Sequence, residues 1–261
     1  MFNRELLVVA GASMVVATLA ACGGGGGGGA RAASTAASGA GGGLPQGAEP
    51  SHLDPKDFTT KIDNPYLTLR PGSRWVYRET DTTGARQRVV VTVTKRTKRA
   101  ADGVTARVVR DVATEHGRVT EATDDWYAQD SAGNVWYLGE ATAEYRDGKV
   151  ASRAGSFEAG VGGAQPGIAM PANPRPGVSY RQEYLKGKAE DRADIVTVGE
   201  ERVQVPFGHF DKRVLMTRDL EPTEPLVQEL KFYVPGPGLV LAVHTDGDGG
   251  RAELLSYHPG A

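Results

Sequence analysis

The chain has one cysteine, Cys22, in 261 residues. That scarcity excludes a disulfide framework and any zinc site built on paired cysteines, so the folded part depends on its apolar core alone. An excess of charge is also missing: 30 Lys and Arg against 32 Asp and Glu leave a net charge of −2. No basic run or stripe of the kind that follows nucleic-acid phosphates stands out, which argues against a nucleic-acid partner. Beyond residue 21 no apolar run approaches the roughly 20 residues a membrane-spanning helix needs. There is no G-x-S-x-G nucleophile elbow and no His-x-x-x-His pair. With no catalytic constellation in view, the expectation is a protein that is not an enzyme.

At the start of the chain, Arg4 and Glu5 precede the uncharged stretch Leu6 to Leu19. That stretch is too short to cross a hydrocarbon core of about 30 Å but matches the apolar part of an export signal. It runs into Leu19-Ala20-Ala21-Cys22, which resembles the lipobox of bacterial lipoproteins. The resemblance implies that residues 1–21 are a signal peptide and that Cys22 takes a diacylglyceryl group. Its new amino terminus would then carry a further acyl chain such as palmitate. The alternative is an ordinary signal cut after Ala21, leaving a free thiol. Two or three acyl chains, each buried methylene worth about 0.8 kcal/mol, would hold the protein to its membrane. The implied location is the cell envelope on the extracytoplasmic side. In a two-membrane organism it is the outer membrane, because Gly23 stands where an aspartate usually retains lipoproteins on the inner one.

Seven glycines, Gly23 to Gly29, open a Gly/Ala/Ser-rich stretch. Such a composition buries too little apolar surface to offset its ordering entropy, so residues 22–55 read as a flexible tether. About 30 such residues give roughly 30 Å of standoff. The remaining body of about 205 residues is long enough for a real core.

From Trp75 onward the sequence is β-rich and shows little helical periodicity. RVVVTVTKRT over 88–97 and ARVVRDVAT over 106–114 are β-branched with partial alternation. Asp102-Gly103, Asp147-Gly148 and Asp246-Gly247 are hairpin turn signals, since glycine accepts positive φ at no steric cost. Laying the halves over each other matches Arg70-Pro71-Gly72 with Arg175-Pro176-Gly177, and Arg107-Val108 with Arg213-Val214. Trp126-Tyr127 and Gly133 likewise match Phe232-Tyr233 and Gly238. Near-constant spacing across separate blocks points to two copies of one unit. The fold class expected is therefore all-β, with two pseudo-repeat antiparallel meanders forming a sandwich or a barrel-like domain. The first repeat covers 56–160, a Pro/Gly-rich connector 161–176, and the second repeat 177–261. The connector reads as irregular chain, with Ile168 and Met170 favouring a strap over the sheet to a free linker.

Aromatics fall at matching points of the copies. Trp75, Tyr77, Trp126, Trp136, Tyr180, Tyr184 and Phe232 are the candidates for an apolar or sugar-binding face, against the plainer role of core and cross-strand packing. His209 with Asp211, and His244 with Asp246 and Asp248, could hold a metal, but Asp beside Gly is ordinary turn chemistry and most metal sites need three or four protein ligands. No residue is assigned to a metal or a cofactor. Glu183, Glu190, Asp191 and Asp194 offer carboxylates for glycosidase-type chemistry, but with Lys186, Lys188 and Arg192 interleaved they read as a solvated hairpin edge.

Asn64-Pro65-Tyr66 through Trp75 and Tyr77, followed by Asp125-Trp126-Tyr127-Ala128-Gln129-Asp130 and Gly133 to Tyr137, resemble a group of uncharacterised secreted bacterial β proteins. The plan is also similar to envelope lipoprotein carriers built on half-barrels, which implies an apolar ligand and no catalytic residues. The function expected is a membrane-anchored, non-enzymatic envelope module that binds a lipid-like ligand or another envelope component. The alternatives are an envelope glycan hydrolase acting through the carboxylates near 183–194, and a structural or adhesive surface domain.

Overall fold

The computed structural model describes residues 43–222, 228–245 and 250–261. The signal peptide, Cys22, most of the tether and the Asp246-Gly247 turn lie outside the described residues. Within them regular structure is almost entirely strand, with two 3-10 turns and no α-helix.

Short strands β1 (Phe58–Thr59), β2 (Asp63–Asn64) and β3 (Leu67–Thr68) lead into a meander. It comprises β4 (Arg74–Asp81), β5 (Arg86–Arg99), β6 (Thr105–Glu115), β7 (Arg118–Asp130) and β8 (Val135–Arg146). Next come β9 (Lys149–Ser152), β10 (Phe157–Glu158) and β11 (Gln165–Met170), all three pairing with β8. The second run contains β12 (Ser179–Arg181), β13 (Glu183–Tyr184), β14 (Arg192–Val198) and the small hairpin β15 (Val203–Val205) with β16 (Gly208–Phe210). It continues through β17 (Leu215–Leu220), β18 (Gln228–Val234), β19 (Gly238–His244) and β20 (Gly250–His258).

Two meanders share one antiparallel sheet, in the order β12-β14-β17-β18-β19-β20-β4-β5-β6-β7-β8-β11-β13. The last strand of the second run meets the first long strand of the first, β20 against β4, and the last strand of the first run meets the second strand of the second, β11 against β13. Since β12 and β13 flank Gln182, one short stretch of chain reaches both edges of the sheet. The sheet is thereby nearly closed into a barrel, which decides between sandwich and barrel. Turn chemistry agrees with the sequence: Asp102 (φ 53°) with Gly103 (φ 83°), and Asp147 (φ 51°) with Gly148 (φ 74°), have both central residues at positive φ.

Alternation sets the two faces. Val89, Val91 and Val93 of β5 are buried toward the interior. They begin rows that cross the sheet, Val91–Asp111–Thr123–Thr142 and Val93–Val109–Asp125–Glu140. The main core lies inside the sheet and includes Tyr77, Tyr137, Tyr180, Ile168, Leu239 and Leu254. A second, smaller core lies on the opposite face of β6, β7 and β8, where Leu53 and Phe58 cover Val108, Trp126 and Leu138.

Two expectations need correction. The connector 161–176 is not irregular throughout, because Gln165–Met170 forms β11 in the main sheet, with Ile168 and Met170 fully buried. Its glycine serves a close approach: a Cβ at Gly167 would overlap the carbonyls of Gln182 and Arg181. The tether also ends earlier than residue 55. From Leu44 the chain lies on the body, with the Pro45 carbonyl accepting from the Arg181 amide (2.7 Å) and the Ser179 carbonyl from Gln46 Nε2 (2.7 Å). Buried contacts of single residues, rather than composition, fix this stretch.

Candidate functional site

The outer face of β6, β7 and β8 is covered at one end by Leu53 and Phe58 and open at the other. The open end forms a groove of about 770 Å³, within the range of small-molecule sites. Val112, Val119, Ala122 and Tyr145 supply apolar lining, and Arg110 and Arg118 supply positive charge. The Asp147-Gly148 turn closes one side. Val119 is 42% exposed, and Val150 on the neighbouring hairpin is 45% exposed.

The arginines are only partly offset, since Asp147 is the one acid in the groove lining. Arg110 contacts Asp124 at 3.1 Å, but Arg96 holds both oxygens of that carboxylate at 2.7 and 2.9 Å. Two guanidiniums thus share one acid and leave a net positive charge. Arg118 is exposed and makes no ion pair with a described residue. Although burial opposes it, the hydrogen bonds from Arg96 and Arg110 hold Asp124 below its ordinary value, so these charges persist at neutral pH.

The interior is chemically different. Asp111, Asp125, Glu140, Glu183, Asp191, Asp219, Glu221 and Glu229 are all buried, with only Arg181 and Lys231 as buried bases among the described residues. Lys231 is committed to Asp219 (2.8 Å) and Glu229 (3.0 Å), and these two acids, acting against its burial, keep it charged. Arg181 serves backbone carbonyls, taking Pro166 through Nε (3.1 Å) and Nη2 (2.8 Å), and Glu49 (2.8 Å) and Gly47 through Nη1.

Among the described residues, Asp111, Asp125, Glu140, Glu183 and Asp191 form no salt bridge with a base. Burial first, then neighbouring acids, push Asp111, Glu140 and Asp191 well above the usual carboxyl range. Burial likewise raises Asp125 to about 7, although the Tyr137 hydroxyl donates to it at 2.9 Å, and raises Glu183 to about 8. Glu183 Oε2, Asp191 Oδ2 and both Glu140 oxygens receive no well-formed hydrogen bond from any N–H or O–H. Carboxyls left this way in a protein interior keep their protons and donate to one another.

Two of the four carboxylates expected on a solvated hairpin edge are therefore inside. Glu183 and Asp191 are buried, a correction to the edge reading. Glu190 accepts from the Gly187 amide in its own hairpin, and Asp194 is held outside by Ser179, Arg192 and Arg218. The sequence spacing of these four acids does not reveal which strand turns inward.

The expected aromatic face is not assembled, because its members are divided between the two sides of the sheet. Trp75, Tyr77 and Tyr180 are in the main core, where Trp75 Nε1 donates to the Pro237 carbonyl (2.6 Å) and the Tyr77 hydroxyl to that of Leu239 (2.9 Å). Trp126 lies in the outer core beneath Lys98, 4.1 Å from its ring. Trp136, half-buried with Nε1 on Asp130 (2.8 Å), packs against both cores, Phe232 is half-buried against the main core, and Tyr184 is half-buried. Among the described residues no group of three His, Cys, Asp or Glu side chains is arranged to hold a metal ion. The groove was missed because Arg118-Val119 and Tyr145 read as ordinary hairpin residues until two turns lie side by side.

No protein-family profile and no curated protein matches the chain. Two solved structures are similar to it. One is named for export and for a YmcC-like fold and comes from Bacteroides fragilis, with 16% identity and a TM-score of 0.44 over 74% of this chain and 99% of that one. The other is named as a lipoprotein and comes from Parabacteroides distasonis, with 13% identity and a TM-score of 0.39 over 74% of this chain and 98% of that one. What those names say belongs to those proteins.

Proposed function

We propose that the protein is a lipid-tethered, non-enzymatic binding module of the cell envelope. In this proposal it takes a single-chain amphiphile with an anionic head in the outer groove of β6, β7 and β8. One observation carries the reading: an open apolar groove of about 770 Å³ whose two arginines lack a full complement of acids. An alkyl chain fits against Val112, Val119, Ala122 and Tyr145, while a carboxylate or phosphate head meets Arg118 and Arg110. Acyl chains on Cys22 would keep the groove at a membrane surface, where such amphiphiles concentrate.

The test is titration of the secreted Cys22→Ser chain with dodecanoate and, separately, with dodecanol. The carboxylate is expected to bind about tenfold more tightly or better, the scale of one charge-assisted contact. Arg118→Glu should remove that preference, and Val119→Asp should weaken both. Equal binding of acid and alcohol, or no binding of either, would refute the proposal.

A further inference from the structure

Two tight turns stand beside the outer groove at its open end. His116 (φ 48°) with Gly117 (φ 78°) joins β6 to β7, and Asp147 with Gly148 joins β8 to β9. Both central residues of each turn have positive φ, the geometry of a rigid two-residue hairpin. Each turn holds out an exposed valine. Val119 follows the first turn and lines the groove, while Val150 pairs with the groove-lining Tyr145 and so shares its face. They are 42% and 45% exposed, and the other exposed large apolar side chains among the described residues, Val161, Val196 and Phe207, belong to other segments. The charge around the two valines is mainly positive. Arg118 lies in the groove lining, Arg146 and Lys149 face each other across the second turn, and Arg88 of β5 leads through Thr114 to Val119. All four cations are exposed and make no ion pair among the described residues. Against them stand Asp147, exposed, and Glu115, half-buried and otherwise engaged.

We propose that this corner, Val119 and Val150 set among Arg88, Arg118, Arg146 and Lys149, is a docking surface for an anionic bilayer, from which the groove takes its amphiphile directly. The entry route rests on the reading of the groove as an amphiphile site, whereas the docking surface stands on its own residues. Charge complementarity selects the occupant. Valines at the level of the lipid headgroups bury apolar surface, and the arginines and lysine around them meet lipid phosphates. Two valines ringed by cations offer too little apolar surface for a stable protein interface, which buries about 800 Å² per partner. A shallow, charge-assisted contact with lipid suits them better. Acyl chains on Cys22, about 20 residues before Leu44, would hold the body within roughly 25 Å of the bilayer. At that effective concentration a weak contact is enough to dock it. Once docked, the groove opens onto lipid, and a chain passes along Val119 and Tyr145 without crossing bulk water.

The experiment is flotation of the secreted Cys22→Ser chain with vesicles of phosphatidylcholine alone, and with vesicles in which about a third of the lipid is phosphatidylglycerol. Salt is held at about 0.1 M, where surface charges are only partly screened. The anionic vesicles are expected to bind the chain about tenfold more tightly or better. Arg146→Glu/Lys149→Glu, outside the groove lining, should abolish that preference, and Val150→Asp should weaken binding to the anionic vesicles. Dodecanoate titration of the same proteins reads the groove separately. The double variant should keep nearly the wild-type affinity for dodecanoate, so that loss of vesicle binding alone marks the surface. Equal binding to the two vesicle types, no binding to either, or an unchanged preference in the double variant would overturn the docking surface. A preference kept in the double variant and lost in Phe207→Asp, on the β15–β16 hairpin, would overturn it as well. Absence of dodecanoate binding in the wild type would instead refute the groove and the entry route with it.

Discussion

Single side chains bind this fold together at points the composition does not reveal. Arg181 is nearly inaccessible and bonds to four partners in two segments, the chain over 47–51 and β11. Arg181→Leu would leave those carbonyls without donors, and a loss of about 3 kcal/mol or more is expected in urea unfolding. The same variant should expose the 44–51 stretch to limited proteolysis. Lys231→Met removes the buried cation shared by Asp219 and Glu229, an expected loss of about 3–5 kcal/mol in urea unfolding. Gly139 has φ 135°, and a Cβ there would meet Trp126 at 2.9 Å and the Phe157 carbonyl. Gly139→Ala should therefore destabilise by at least about 1–3 kcal/mol, read as a lowered urea midpoint. At this scale the Asp-Gly turns were legible, because φ > 0 leaves few residue types. The buried acids were not, because Glu183 and Asp191 differ from a surface pair only in which face their strands present.

For whole elements, legibility followed the strength of the local pattern. β5 announces itself by Val89, Val91 and Val93 in alternation, and β6 by Val108 and Val112 on one face. β11 does not: Pro166 and Gly167 are poor strand formers, and the strand exists because Ile168 and Met170 pack inside and Arg181 grips the Pro166 carbonyl. The chain over 53–58 is similar, with Leu53 the buried residue that seats it over Trp126. Leu53→Ala should cost about 2–3 kcal/mol by the loss of a buried leucine. It should also uncover the indole, seen as a red shift and faster quenching of tryptophan emission. The groove beyond that cover depends on two hairpin turns standing together, a tertiary fact that no window of sequence contains.

The whole molecule combines an acid-rich interior with a surface of nearly balanced charge, and its response to pH follows from that. Asp125 and Glu183 have native values above their unfolded ones, so their contribution to stability is complete below about pH 4 and is lost as pH rises through about 7 and 8. Asp124 and Asp194 are held below their unfolded values, chiefly by arginine hydrogen bonds that overcome burial, so their contribution is present above about pH 4 and lost under acid. The stability curve should therefore peak near pH 4–5 and fall toward pH 8.5, checked by urea denaturation at constant ionic strength. The proposed binding of an amphiphile in the outer groove is tested most directly by paramagnetic broadening of amide resonances by a spin-labelled fatty acid. The account predicts loss of signal at Val112, Val119, Ala122, Tyr145 and Gly148, with the amides of Tyr77, Tyr180 and Leu239 unaffected. Broadening centred on those interior residues, or none anywhere, would contradict it.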